Sequence, residues 1–133
     1  TYVLHKSDSS LSKLYNLVRK KSPKTLIIAD IATMNDAIRA ERLGADMVAT
    51  TFARISERGG MCIHHKDHCK LIKNISKHIL LPIIAEGAIQ SPKEARGLLK
   101  NGAVSVVIGH HIIHPGYISN YFNSVIDYEK QTY

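Results

Sequence analysis

Four times along this 133-residue chain a short apolar run stops abruptly on a polar residue or a glycine. Thr25-Leu26-Ile27-Ile28-Ala29 stops at Asp30, and Asp46-Met47-Val48-Ala49 at Thr50-Thr51. Pro82-Ile83-Ile84-Ala85 stops at Glu86-Gly87, and Val104 to Ile108 at Gly109-His110. Short continuous runs rich in Val, Ile and Leu predict strands buried on both faces, the pattern of a parallel sheet.

Amphipathic helical patterns separate these runs. Leu11, Leu14, Tyr15 and Val18 fall at i, i+3, i+4 and i+7, predicting a helix from about Ser10 to Lys21 that Ser22-Pro23 stops. Thr33 caps a second helix over Met34 to Leu43, closed at Gly44. Leu71, Ile72, Ile75 and Ile79 mark a third, helical from Asp67 onward. Ser91-Pro92-Lys93-Glu94 starts a fourth, which ends at Asn101-Gly102. A last helix runs from about Tyr117 to Glu129. Leu43-Gly44-Ala45-Asp46 and Asn101-Gly102-Ala103-Val104 read as one device used twice: helix, glycine turn, strand. The order α-βα-βα-βα-βα implies one α/β domain over residues 1–133, a parallel sheet covered by helices.

In parallel βα folds, ligands bind at the carboxyl ends of the strands. Asp30, Thr50, Thr51, Glu86, Gly87, Gly109 and His110 all fall there, so topology alone predicts a site on that rim. A carboxylate at the mouth of a buried strand is costly unless something pairs or uses it. Glu86 reads either as an acid/base group or as a structural carboxylate. Asp30 is either a ligand contact or a helix cap ahead of Thr33. The polar, Gly-containing stretch from Phe52 to about Lys66 is long for a connection in a compact domain and reads as a functional loop.

Composition narrows the classes. The net charge of +7, with eight His in reserve, suits nucleic acid or a phosphorylated small molecule. The basic residues are scattered, with Arg19-Lys20-Lys21 the densest group, and no aromatic residues interleave them, which argues against nucleic acid. No apolar run approaches the ~20 residues of a membrane span. The terminus after Tyr2-Val3-Leu4 is polar, so no signal peptide is expected. Two cysteines, Cys62 and Cys69, make no disulfide framework, and a reduced cytoplasmic protein is expected. A chain that begins at Thr1 without Met is expected to be processed or a piece of a longer protein.

His64, His65 and His68 with Cys62 and Cys69 offer a zinc reading, since His64 and His68 stand at i and i+4. Helix is expected only from Asp67 and no paired CxxC is present, so a polar loop entering a helix with Cys69 buried is preferred, and no metal is expected. His110, His111 and His114 fit an anion pocket better than a metal site. No serine has a readable His–Asp partnership, so nucleophilic catalysis has no support.

Ala29-Asp30-Ile31-Ala32-Thr33, Leu43 to Thr51, Pro82 to Ile89 and Ala103 to Gly109 resemble, in order and spacing, the N-acetylmannosamine-6-phosphate 2-epimerase family. The resemblance covers about residues 8 to 127. It implies a (β/α)8 TIM barrel of roughly twice this length, of which the chain supplies strands five to eight, about four βα units. Ser7-Asp8-Ser9 would be the remnant of the family's Asp-Ala-Thr segment after strand four. The implied activity interconverts N-acetylmannosamine 6-phosphate and N-acetylglucosamine 6-phosphate in amino-sugar and sialic-acid breakdown, with no metal or other cofactor. By resemblance, two groups on opposite faces of the sugar move the proton: a glutamate matching Glu86, and a lysine on strand three, which the chain does not contain.

The same resemblance assigns substrate contact to Asp30, Thr50 and Thr51. It assigns phosphate to the loops holding Gly87, Gly109, His110 and His114. The chain departs from the family at Ala88 and His114, where arginines are usual, and in the loop from Phe52 to Ser56, where Arg54 would replace a lost cation. A histidine binds phosphate well only when protonated, so weaker, pH-dependent binding is expected. The chain alone is expected to lack epimerase activity. Its open sheet edges imply either a homo-oligomer or a missing N-terminal half-barrel as partner. A non-catalytic half-barrel that binds a sugar phosphate, and a different phosphate-binding βα enzyme, are the competing readings.

Overall fold

The computed structural model describes residues 7–53, 64–87 and 89–130, and the side chains among them except those of residues 110 and 125–130. Arg54, Cys62, Ala88 and most of the expected functional loop lie outside the described residues, as does the side chain of His110. The elements follow the expected order: α1 (Asp8–Lys21), β1 (Ile28–Asp30), α2 (Met34–Leu43), β2 (Met47–Ala49), α3 (His65–Ile75), β3 (Ile83–Glu86), α4 (Pro92–Lys100), β4 (Ser105–Val107), α5 (His110–Ile113) and α6 (Pro115–Lys130).

Local chemistry explains the boundaries. α1 begins earlier than the expected Ser10 because Ser7 caps it. Asp8 is the first residue of α1 and pairs with Arg39 and Arg42, tying α1 to α2; the segment ahead of Ser7 lies outside the described residues. Thr33 and Asp36 form a reciprocal capping box at the start of α2. Ser91 caps α4 by accepting the Glu94 N–H at 3.2 Å, while Glu94 accepts the Gln90 N–H at 2.8 Å. α3 starts two residues before the expected Asp67, and Ile79, expected as its last apolar turn, lies beyond its end yet stays buried. The strands are shorter than their apolar runs: Thr25, Leu26 and Ile27 precede β1. The short α5 and the start of α6 at Pro115 were not legible in advance.

All four strands are parallel and pair in chain order, β1-β2-β3-β4. Parallel crossovers are right-handed almost without exception, so an unreversed order puts every helix on the same side of the sheet. That is the winding of a barrel arc, not of a doubly wound sheet. The register then sorts residues by parity, because successive side chains alternate between faces. Ala29, Val48, Ile83 and Ala85 face the helices and join Ala37, Ala40, Ile72, Ile75 and Leu98 in the core. Ile28, Asp30, Ala49, Ile84, Glu86 and Val107 turn to the opposite, inner face.

Among the described residues no further strand pairs with β1 or β4, and the inner face is partly exposed. Ile28 is 50% exposed and Val107 44%. A groove of about 290 Å³ runs beside β1, lined by Leu14, Val18, Ile27, Ile28 and Phe52. Tyr117, Ile118, Tyr121 and Phe122 of α6 are exposed as well; that helix packs on α5. Arg19 staples the start of β1 to β2, donating to the Thr25 carbonyl and the Asp46 carboxylate at 2.6 Å each. No helix among the described residues is long and apolar enough to cross a membrane.

Candidate functional site at the strand ends

Asp30 ends β1, Thr51 follows β2 by two residues, and Glu86 ends β3. All three have inner-face parity, and the structure brings them together. The Thr51 hydroxyl lies 2.9 Å from Asp30 Oδ1 and 3.1 Å from Glu86 Oε2. A hydroxyl carries one hydrogen, so it can donate to only one carboxylate at a time. A proton on either carboxyl lets both contacts be hydrogen bonds: that carboxyl donates to Thr51, and Thr51 donates to the other. The Thr51 hydroxyl thus bridges two half-buried carboxyl groups at the mouth of the sheet.

The adjacent residue does something else. Thr50 is fully buried, on the helix side. Its hydroxyl lies 2.8 Å from Nε2 of His68, accepts the Glu86 N–H at 3.1 Å and donates to the Glu86 carbonyl at 3.2 Å. Thr50, expected to touch substrate, here stands behind Glu86 with its side chain buried. His68, 2% exposed, was weighed from the sequence only as a zinc ligand, and the structure turns it inward onto Thr50. Strand parity was the signal that could have separated Thr50 from Thr51.

Gly87 and Gly109 lie in the loops after β3 and β4, with Gly87 at φ 110°, a conformation that favours glycine. Gly109 has ordinary backbone, and a side chain there would meet open space. α5 begins at once after it, with the Ile112 and Ile113 N–H groups returning to the Gly109 carbonyl. His111 and His114 both pack against the Tyr117 ring, at centroid distances of 4.6 and 5.4 Å. Among the described contacts, His114 does not meet the Asp30–Thr51–Glu86 cluster.

The remaining candidate ligands disperse. Cys69 is half-buried, not buried, and its Sγ lies 3.4 Å from Nε2 of His65. Burial, reinforced by the Glu94 charge, pushes its thiol above the usual range. Asp46 moves the other way. The Ile27 backbone N–H at 2.6 Å, and then Arg19, hold its carboxyl below the usual carboxylate range. No group of three or more His, Cys, Asp or Glu among the described residues could hold a metal ion.

Known proteins match this arrangement. Residues 5–128 match the family model described as "Putative N-acetylmannosamine-6-phosphate epimerase". A protein of Malacoplasma penetrans named "Putative N-acetylmannosamine-6-phosphate 2-epimerase" is 34% identical over 118 residues, 89% of this chain and 51% of its own. Its namesake from Caldanaerobacter subterraneus is 38% identical over 109 residues, 82% of this chain and 45% of its own. The solved N-acetylmannosamine-6-phosphate 2-epimerase from Clostridium perfringens superposes with a TM-score of 0.72 at 30% identity, covering 86% of this chain and 48% of that one. Thiamine phosphate pyrophosphorylase from Pyrococcus furiosus, at 22% identity and a TM-score of 0.54, shares only the fold; the match covers 69% of this chain and 42% of that one. The chain spans about half the length of the curated relatives it matches. With its four-unit parallel arc, its rim of carboxylates and glycines, and a family match over nearly its whole length, the chain belongs to the N-acetylmannosamine-6-phosphate epimerase family.

Proposed function

We propose that this chain carries one proton-transfer group and the phosphate end of the site of an enzyme that interconverts N-acetylmannosamine 6-phosphate and N-acetylglucosamine 6-phosphate. The observation that carries the reading is the Thr51 hydroxyl held between Asp30 and Glu86 on the inner rim. Epimerisation next to a masked aldehyde removes the C2 proton from one face, leaves an enol, and returns a proton to the other face. Nothing is oxidised or reduced, so two acid/base groups suffice. Glu86 serves one face, and Thr51 orients its carboxyl. Asp30 binds sugar hydroxyls. The phosphate lies between the loops after β3 and β4, where barrels of this class commonly hold one. Gly87, Gly109, His110 and His114 belong to those loops. A phosphorylated sugar as substrate fits a cytoplasmic setting.

The group for the other face, the lysine implied by resemblance, comes from an adjoining (βα)4 half. The open inner face, the β1 groove and the exposed α6 residues support that partner. A homodimer of this chain is the alternative occupant, and would make a sugar-phosphate binder without the lysine. Native mass separates the two.

Turnover followed by proton NMR in D2O, where deuterium enters C2, tests the activity. The isolated 133-residue chain is expected to be inactive. The chain joined to a family N-terminal half is expected to exchange C2, with Glu86→Gln lowering kcat by about 10²–10⁴. Turnover by the isolated chain, or full activity in Glu86→Gln, would refute the reading.

A further inference from the structure

We propose that Thr50 and His68 are positioning residues for Glu86: a buried hydroxyl–imidazole pair that fixes the backbone from which the carboxylate projects. The proposal rests on the reading of Glu86 as an acid/base group for its functional meaning, and on geometry alone for its physical content.

Main-chain pairing between β2 and β3 ends where the Thr50 N–H meets the Ile84 carbonyl at 3.1 Å. Peptide groups two apart on a strand point the same way, so Glu86 also turns its N–H and C=O toward β2. There the chain has already bent away, with the Ala53 N–H returning to the Thr50 carbonyl. The Thr50 side chain takes the missing place. It accepts from the Glu86 N–H and donates to the Glu86 carbonyl, extending the ladder by one residue with a hydroxyl in place of a peptide.

A threonine hydroxyl has one hydrogen and two lone pairs. The Glu86 carbonyl uses the hydrogen and the Glu86 N–H uses one lone pair. The second lone pair faces Nε2 of His68 at 2.8 Å. Every position is filled only when His68 carries its proton on Nε2. With Thr50 fully buried and His68 2% exposed, water does not compete for these bonds. The Glu86 carboxylate lies on the opposite face, against Thr51. The imidazole therefore acts on it through a hydroxyl and a backbone, without meeting the substrate.

Amide hydrogen exchange and imidazole nitrogen shifts, measured by NMR on the 133-residue chain, test this. In the unaltered chain Nε2 of His68 is expected to show the protonated signature. Thr50→Val should speed exchange at the Glu86 amide by about tenfold relative to core amides of β3, the worth of one hydrogen bond, and Thr50→Ser should restore protection. His68→Leu should give a smaller increase, and His68→Gln should reverse it. The double variant Thr50→Val/His68→Leu removes both polar partners. It should regain stability over the single variants while the Glu86 amide stays fast. An unprotonated Nε2, a Glu86 amide unchanged in Thr50→Val, or protection returning with stability in the double variant would each overturn the proposal. Full activity of Glu86→Gln in the joined enzyme would instead sink the acid/base reading and leave the amide result standing.

Discussion

Replacing Gly102 with alanine should cost this fold far more than the same change at Gly44, although the two glycines occupy the same place in the repeated helix–turn–strand device. Both have positive φ, 88° at Gly44 and 114° at Gly102. Either alanine therefore bears the left-handed penalty of about 1–2 kcal/mol. A Cβ on Gly44 meets nothing within 4 Å. A Cβ on Gly102 would lie 2.7 Å from the Cβ of Ser76 and 2.8 Å from its Oγ. Carbon pairs rest at about 3.5–4.0 Å, so the overlap is close to 1 Å. It falls on a Cβ anchored to the end of α3, which cannot swing away as a side-chain tip could. Overpacking of this kind adds about 1–3 kcal/mol. Gly102→Ala should then lose about 2–5 kcal/mol, and Gly44→Ala about 1–2. Urea unfolding followed by far-UV circular dichroism measures both. The cause can be isolated by repeating Gly102→Ala in a Ser76→Gly background, where the loss should shrink to the backbone share of about 1–2 kcal/mol. Equal losses at the two glycines, or no relief from Ser76→Gly, would refute the steric argument.

Asp46 should give the fold an acid-sensitive increment. Its carboxyl titrates below the usual range in the folded chain, so the unfolded chain takes up the proton first as pH falls. The increment is fully present above the unfolded value near pH ~3.9 and is lost as pH drops through the folded one. Asp46→Asn should flatten the low-pH slope of urea midpoints. Cys69, with its thiol pushed up by burial and by Glu94, should react slowly with a thiol reagent at neutral pH in a Cys62→Ser background, and Glu94→Gln should speed the labelling. Asp8→Asn should loosen α1 from α2 by about 0.5–1 kcal/mol at low salt, an effect that added salt should shrink, because these pairs are partly exposed. Thr51→Val in the joined enzyme should lower kcat while Thr51→Ser retains it, as read by deuterium entry at C2.

Much of the fold was written locally. Thr33 and Ser91 cap α2 and α4 because their hydroxyls reach the backbone N–H three residues on, a distance any sequence reader can count. The rim was legible because the polar residue or glycine that ends each apolar run falls at, or within two residues of, the end of a strand. The rest depended on contacts far apart in the chain. Arg19 reads in the sequence as part of the densest basic group, yet it holds Asp46 twenty-seven residues away. His68 looked like half of a metal pair, and only the approach of α3 to the end of β2 reveals its bond to Thr50. α5 left no periodic pattern, since four residues make barely one turn. Thr50 and Thr51 are adjacent in sequence, and alternation along a strand sends them to opposite faces.

That parting has a consequence for how the site can change. One peptide bond separates Thr51, which faces the rim carboxylates, from Thr50, which backs Glu86, and the pleat alone decides which residue takes which face. Inserting or deleting a single residue between Gly44 and Thr50 would exchange the two faces. It would push Thr50 into the open and bury Thr51 against α3. Two-residue changes would keep the assignment. Odd-numbered changes in length are therefore the ones the rim cannot absorb, a constraint set by strand geometry before any substrate arrives.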